Sequence, residues 1–297
     1  MTHTAPVKET LVLIFSLGFA AASFAEDDAD LRRATDAVFE DCDAPDSPGC
    51  AVAVMRDGAP VYRQGYGMAN LEYGIPITPT SVFHVASVSK HVTAMGIFLL
   101  AQEGKLSLDD DIRKYVPEVP DFGTTITLRH LVHHTSGLRD QWSLLGMSGW
   151  RWEADVVTEG DVLDITSRQK ALNFEPGAEY LYSNTGFTLL AVVIERVTGK
   201  TLRAFTTERF FEPLGMSQTH FHDDHEMIVP ERAYAYDRYD EENERAGQLH
   251  ISIPDFDVVG ATSLSPRCRT SRSGTAAFTP GRWEAKSSST RFSFGGD

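Results

Sequence analysis

The chain has 297 residues, of which 42% are apolar and 10% aromatic, enough to bury a sizeable core in one large domain or two small ones. This composition excludes a chain that is disordered throughout. The formal net charge of −15 argues against a nucleic-acid partner, because nucleic-acid-binding proteins usually present a basic face.

The first 25 residues are typical of a signal peptide. Lys8 supplies a weak positive charge, an apolar run extends from Leu11 to Ala22, and Ala25 precedes three acidic residues. A membrane anchor is the alternative, but the run is shorter than the roughly 20 residues of a spanning helix. We therefore expect cleavage after Ala25, a secreted or periplasmic protein, and no stable membrane span after cleavage.

Two cysteines, Cys42 and Cys50, are near enough in sequence to form a local disulfide in an exported protein. Cys50 also opens an apolar, strand-like run, in which a buried thiol fits equally well. Both states stay open, and the third cysteine, Cys268, is the odd one.

A hairpin and a buried helix are predicted in the first half of the chain. Apolar-rich runs at Cys50 to Arg56 and Val61 to Tyr66 are joined through Asp57-Gly58, a strong hairpin signal. From Ser87 to Gln102 the apolar residues recur at helical spacing, and Gly104 ends the run.

The stretch that follows is mostly helix and loop. A helical pattern covers Asp161 to Leu172, and an amphipathic helix is predicted from Thr185 to Val197, closed by Gly199. Strands followed by a long helical insertion predict an α+β fold, in which an antiparallel sheet is flanked by helices and carries a large helical subdomain.

The segment Ser87-Val88-Ser89-Lys90 carries a candidate nucleophile. It places a serine hydroxyl and a lysine one turn apart at the start of the predicted buried helix, where the helix dipole favours an alkoxide and an oxyanion. Burial of Lys90 would lower its pKa and let it accept a proton. The alternative is a serine N-cap beside a lysine whose ammonium reaches solvent.

The Ser-x-x-Lys spacing alone is weak evidence. Ser167 and Lys170 have it too, inside the helical pattern after Asp161, where a solvated helix face is the better interpretation. Further motifs are needed to distinguish the two serines.

With Tyr182-Ser183-Asn184, the Ser87 motif resembles the serine β-lactamases and penicillin-recognising enzymes, in particular the class C-like group that includes D-alanyl-D-alanine carboxypeptidases and esterases. The resemblance runs from about Asp46 to Leu264. Four other stretches share it: Pro48-Gly49, His134-Thr135-Ser136-Gly137-Leu138, Asn173-Phe174-Glu175-Pro176-Gly177 and Pro213-Leu214-Gly215-Met216.

The resemblance implies a β-lactamase/transpeptidase-like fold and an acyl-enzyme on Ser87. It implies that Lys90 and the Tyr182 phenolate share the proton transfers, that Asn184 binds a substrate amide, and that no cofactor is required. The substrate would be a small molecule or peptide with an amide, ester or β-lactam bond. From the residues alone, Tyr182 as a packed aromatic and Asn184 as a helix N-cap stay open, and so does the oligomeric state.

The resemblance also implies a third motif, Lys or His, then any residue, then Gly, on a strand lining the cleft. The sequence has no good copy, and Arg272-Ser273-Gly274 is only a formal relative. Before Ser265 the chain has 21 basic and 40 acidic residues, whereas residues 265–297 have 6 and 2. We therefore expect residues 26–264 to be a truncated domain with an incomplete sheet, and residues 265–297 to be an aberrant, disordered tail. Our hypothesis is a lost reading frame near Leu264, and an inactive remnant is the alternative function.

A histidine-rich run offers a competing metal site. It has the H-x-H-x-D-H pattern of metallo-β-lactamase-fold zinc hydrolases, but that fold needs two more histidines downstream and only His250 follows. A zinc hydrolase is thus a minor alternative, and we expect no metal. Its ligands would be His220, His222, Asp224 and His225, whereas three other histidines fit helix ends and loops: His130, His133 and His134.

Overall fold

A computed structural model describes residues 29–57, 59–151, 154–253 and 255–267. It divides into two compact units, the first ending at Pro79 and the second beginning at Thr80. The predicted signal peptide and the predicted tail after Arg267, with Cys268 and the Arg272 motif, lie outside the described residues. Within those residues, every helix is too short or too polar to cross a bilayer.

The first unit contains the predicted hairpin. Helix α1 covers residues 29–38. Strand β1 (Cys50–Arg56) pairs in antiparallel register with β2 (Ala59–Tyr66), as predicted, although β2 begins two residues earlier than expected. A short antiparallel pair follows, β3 (Met68–Asn70) with β4 (Ile75–Pro76).

Cys42 and Cys50 are both free thiols in this unit. Burial raises the pKa of Cys50, and the neighbouring Cys42 thiol adds to the effect. The sequence left open a disulfide or a free thiol at Cys50, and the structure has the free thiol.

The second unit combines helices with small antiparallel sheets, which confirms the α+β prediction. Its helices are α2 (Ser89–Gln102), α3 (Leu128–Val132), α4 (Gln141–Met147), α5 (Glu159–Ser167), α6 (Asn184–Thr198) and α7 (Leu202–Thr206), which continues as a π-helical turn. Its strands are β5 (His220–Phe221), β6 (Tyr236–Arg238), β7 (Leu249–Ile251) and β8 (Leu264–Ser265). Strand β5 pairs with β8, and β6 pairs with β7.

Two predicted helix boundaries are wrong. Helix α2 begins at Ser89 because Ala86–Val88 forms a separate 3-10 turn. Helix α5 stops at Ser167, well before the predicted Leu172, and the Ser167 hydroxyl donates to the Asp164 carbonyl in the last turn. Ser167 is exposed, in agreement with the solvated helix face expected for this second Ser-x-x-Lys match.

The core of the second unit is built around α6. Residues 189–194 of this helix are all buried, and α2, α3, α5 and α7 pack against it. Each fully buried large aliphatic side chain there contributes about 1.5–3 kcal/mol. Because α2 and α6 pack against each other, the residues at their N-terminal ends can meet.

Candidate active site

Ser87 lies in the 3-10 turn that leads into α2. It is exposed, whereas Lys90, in the first turn of the helix, is buried. The preceding residue, Ala86, has a φ of +43°, a conformation that costs a non-glycine residue on the order of 1–3 kcal/mol and persists only where the surroundings enforce it. Here Ser89 Oγ donates to the Ala86 carbonyl and accepts from the Leu264 N–H at 2.9 Å, so strand β8 fixes the turn.

Lys90 meets three oxygen acceptors. Its Nζ lies 3.1 Å from Ser87 Oγ, 2.8 Å from Asn184 Oδ1 and 2.7 Å from the Ala261 carbonyl, which matches the three hydrogens of an ammonium. Burial lowers the pKa of Lys90, while the Tyr182 hydroxyl and the Asp140 charge oppose that change. The alternative of a lysine reaching solvent is therefore wrong.

Tyr182 approaches Ser87 from the other side. Its hydroxyl lies 2.8 Å from Ser87 Oγ, and its ring centroid lies 4.8 Å from Lys90 Nζ. One ring face stacks on His134, with centroids 4.5 Å apart. Tyr182 is nevertheless 41% exposed, so the alternative of a packed aromatic holds only for the ring face against His134.

Asn184 is the first residue of α6, not its N-cap. The N-cap position belongs to Ser183, whose side chain makes no capping bond. The Asn184 amide is engaged elsewhere, because Oδ1 accepts from Lys90 and Nδ2 donates to Asp140 Oδ2 at 2.8 Å. The capping alternative is therefore wrong.

The structure thus brings all four predicted site residues together within the second unit, and it adds residues that the sequence analysis missed. One of them is Asp140, which is the N-cap of α4, since its Oδ1 accepts from the Trp142 N–H. An aspartate in front of a helical segment is a signal that the sequence offers. His134 was expected in a loop and is there, but its Nδ1 also accepts from the Ser183 N–H at 3.1 Å. The Ala261 carbonyl had no signal at all, because any residue carries one.

His84 connects the segment before Ser87 to the segment around Ala261. Its Nε2 accepts from the Ser263 N–H at 3.2 Å and lies 3.0 Å from Thr262 Oγ1. Burial lowers the pKa of His84 to about 4, so the ring is neutral at physiological pH.

The competing zinc site is not assembled. His225 Nδ1 bonds to Asp257 at 2.9 Å, and the Asp224 carboxylate accepts from the Glu226 N–H. The rings of His220 and His222 lie 6.0 Å apart. Across the part of the chain that the structure describes, no three His, Cys, Asp or Glu side chains are arranged to hold a metal ion. The minor alternative of a zinc hydrolase is therefore not supported by these four residues, because His225 and Asp224 bond to other groups.

Curated bacterial proteins that are similar to this chain include a penicillin-binding protein and a D-aminopeptidase. Penicillin-binding protein 4* of Bacillus subtilis is 34% identical over 192 residues, which cover 62% of this chain and 40% of that protein. The D-aminopeptidase of Gluconobacter oxydans is 32% identical over 171 residues, which cover 58% of this chain and 32% of that protein. The chain therefore spans less than half the length of these relatives.

A solved structure and a family model agree with them. The D-amino acid amidase of Ochrobactrum anthropi SV3, in complex with L-phenylalanine amide, superposes with a TM-score of 0.67 at 26% identity, covering 80% of this chain and 67% of that one. The family model described as beta-lactamase matches residues 35–254, which is more than half of the chain. The chain therefore belongs to the beta-lactamase family.

Proposed function

We propose that this protein is a serine hydrolase in which Ser87 is acylated by an amide, ester or β-lactam carbonyl and is then freed by water. The observation that carries the proposal is the position of Ser87 Oγ, 3.1 Å from Lys90 Nζ and 2.8 Å from the Tyr182 hydroxyl. A serine hydroxyl needs such a neighbouring base to react at neutral pH. Similarity to an aminopeptidase and an amidase supports amide bonds as one substrate class.

In the acylation step, Oγ attacks the carbonyl carbon while its proton passes to the neutral amine of Lys90. Burial favours this neutral form, because it lowers the pKa of Lys90. The negative charge that develops on the carbonyl oxygen is stabilised by the positive end of the 14-residue helix α2, which begins two residues after Ser87.

Tyr182 completes the proton path in our proposal. Its hydroxyl is close to Ser87 Oγ and partly exposed, so it can deliver a proton to the leaving nitrogen or oxygen as that bond breaks, and it is reprotonated from Lys90. Water then attacks the acyl carbon and gives up a proton to the same pair. The Oγ–carbon bond breaks, and Oγ regains its proton.

A second candidate is a member of the family that binds such carbonyl compounds but does not turn them over. One observation favours this second candidate: the sequence contains no good copy of the third motif, which the family resemblance implies on a strand that lines the cleft. This candidate predicts a folded protein that is not acylated.

Covalent labelling tests the proposal. The full chain is treated with a fluorophosphonate probe and with a fluorescent penicillin, and adducts are located by peptide mass spectrometry. We expect labelling of wild type that is lost in Ser87→Ala. Ser167→Ala is the matched control, because Ser167 has the same spacing to a lysine and is exposed. Labelling that survives Ser87→Ala would refute the acyl-enzyme, and a folded wild type that takes neither probe would favour the second candidate.

We also propose that residues 1–25 are removed on export and that the mature protein is secreted or periplasmic. The support is the apolar run that ends in Ala25 before an acidic stretch. N-terminal sequencing of protein expressed in a bacterial host with an intact export pathway tests this proposal. A retained Met1 would contradict it.

A further inference from the structure

Asp140 lies behind the site, and Lys90 and Asn184 separate it from Ser87 in the hydrogen-bond chain. Its Oδ2 accepts from both the backbone N–H and the side-chain Nδ2 of Asn184, at 2.6 and 2.8 Å. Its Oδ1 accepts from the Trp142 N–H at 3.0 Å. All three partners are donors, and an ionised carboxylate is the side chain that can accept from all of them and donate to none.

This contact decides which way the Asn184 amide faces. A carboxylate accepts only, and an ammonium donates only. The amide therefore turns its Nδ2 to Asp140 and its Oδ1 to Lys90 Nζ, 2.8 Å away. The flipped amide would place Nδ2 against the ammonium and Oδ1 against the carboxylate, so that both contacts would become repulsive.

We infer that Asp140 is a positioning residue of the candidate site, which holds Asn184 so that its Oδ1 fixes Lys90 Nζ beside Ser87 Oγ. Lys90 has three acceptors, and two of them, Asn184 Oδ1 and the Ala261 carbonyl, anchor its nitrogen. The third contact is the one with Ser87 Oγ, at 3.1 Å. Loss of the Asn184 anchor would leave Nζ free to move away from the serine. The effect on rate rests on the proposed function, whereas the effect on Lys90 itself does not.

The Asp140 carboxylate also acts on Lys90 through its charge. The titratable groups that face Lys90 are Tyr182, Asp140 and His134. Burial lowers the pKa of Lys90, and this change is opposed first by Tyr182 and then by the Asp140 charge, which favours the ammonium form of Lys90. Removal of the charge is therefore expected to lower the pKa of Lys90 further.

A purely structural explanation competes with this inference, because Asp140 is also the N-cap of α4. Asp140→Ser separates the two roles, since serine is a good N-cap but lacks the second oxygen that reaches Asn184. Thr158→Ala is the matched control, because it removes the N-cap of the neighbouring helix α5. Ser87→Ala reports whether the labelled residue is the proposed one.

The experiment measures two quantities in the full-chain variants. One is the rate of labelling by a fluorophosphonate probe between pH 5 and pH 10, and the other is the pKa of Lys90 from its ε-carbon resonance in NMR. For Asp140→Ser we expect the plateau rate to fall about tenfold or more, as for loss of a hydrogen bond to a charged group. We also expect the acid limb of the profile and the pKa of Lys90 to move to lower pH. Thr158→Ala should leave both unchanged.

The outcomes separate the inference from the proposed function. If Ser87→Ala abolishes labelling while Asp140→Ser behaves like Thr158→Ala, Asp140 is only a helix cap and the proposed function stands. If wild type is not labelled, the proposed function fails, and the NMR pKa of Lys90 decides alone. An unchanged value in Asp140→Ser then overturns the inference. Should Asp140→Ser not fold, Asp140→Asn removes the same charge at nearly the same volume and must still lower that pKa.

Discussion

Gly260 is a position where one added carbon atom should damage both the fold and the candidate site. Its φ is +92°, and a Cβ built there would lie 2.4 Å from the Phe187 carbonyl oxygen and 2.8 Å from the Ala191 Cβ. Both atoms belong to α6, and the residues that carry them, Phe187 and Ala191, are buried in the hydrophobic core. Gly260→Ala therefore combines backbone strain with overpacking.

Gly104→Ala is the matched control for the strain alone, because Gly104 has a φ of +70° and no atom within 4 Å of the added carbon. An alanine in the left-handed region costs about 1–2 kcal/mol, and overpacking adds about 1–3 kcal/mol. We therefore expect Gly104→Ala to lose about 1–2 kcal/mol of unfolding free energy and Gly260→Ala about 2–5 kcal/mol. The entropy that alanine removes from the unfolded chain is common to both and cancels in the comparison.

Urea unfolding followed by circular dichroism measures the difference between the two variants. The labelling rate is a second readout, since the Gly260 carbonyl accepts from Thr93 Oγ1 at 2.9 Å and the next carbonyl, Ala261, accepts from Lys90. A shift of this backbone should slow labelling about tenfold in Gly260→Ala, but not in Gly104→Ala. Equal stabilities and equal labelling rates in the two variants would refute the reasoning.

Three further predictions concern pH, the core and the surface. The pKa of His84 is about 4 in the folded state, below the ordinary 6.5, so its contribution to the free energy of unfolding is intact above pH 6.5, and about 3 kcal/mol of it is lost as the pH falls to 4. If the free energies of unfolding of wild type and His84→Gln change in parallel between pH 7.5 and pH 4, this prediction is contradicted. Leu190→Ala, at a site with 0% exposure, should cost about 2–5 kcal/mol, whereas Ile251→Ala, 42% exposed, should cost less than about 0.5 kcal/mol in the same urea assay. Glu118→Gln breaks the ion pair with Arg196, but both side chains are about a third or more exposed. We therefore expect a loss of unfolding free energy below about 1 kcal/mol, and a smaller loss in 1 M salt. A larger loss that does not depend on salt would show that solvent screens this pair less than expected.

The elements predicted correctly are those whose signals are local. The hairpin of β1 and β2 follows from two apolar runs around Asp57-Gly58, and α6 ends at Gly199 because a left-handed residue closes it. The α2 boundary was misplaced for a reason that is not local. Ala86 adopts a positive φ under the control of Ser89 and Leu264, and no pattern in the segment itself indicates that contact.

The candidate site likewise combines residues that local motifs predict with contacts that depend on distant parts of the chain. Motifs predict Ser87, Lys90, Tyr182 and Asn184, but they leave open whether Asn184 caps a helix, binds a substrate or does both. In the structure Asn184 is not the N-cap of α6, and Asp140, which is 44 residues away in sequence, accepts from both of its nitrogens. The Ala261 carbonyl was beyond prediction because a backbone acceptor has no residue type.

The contacts of the Ser87 turn with the segment from Ala261 to Leu264 also bear on the order of folding. Lys90 and Ser89 are synthesised about 170 residues before their partners in that segment. Until the segment docks, Lys90 lacks one of its three acceptors and the strained backbone at Ala86 lacks its support. We therefore expect the serine and its base to reach their mutual geometry late in folding, after this long loop has closed. We also expect a nascent chain that ends before Ala261 to present Ser87 in an unformed site.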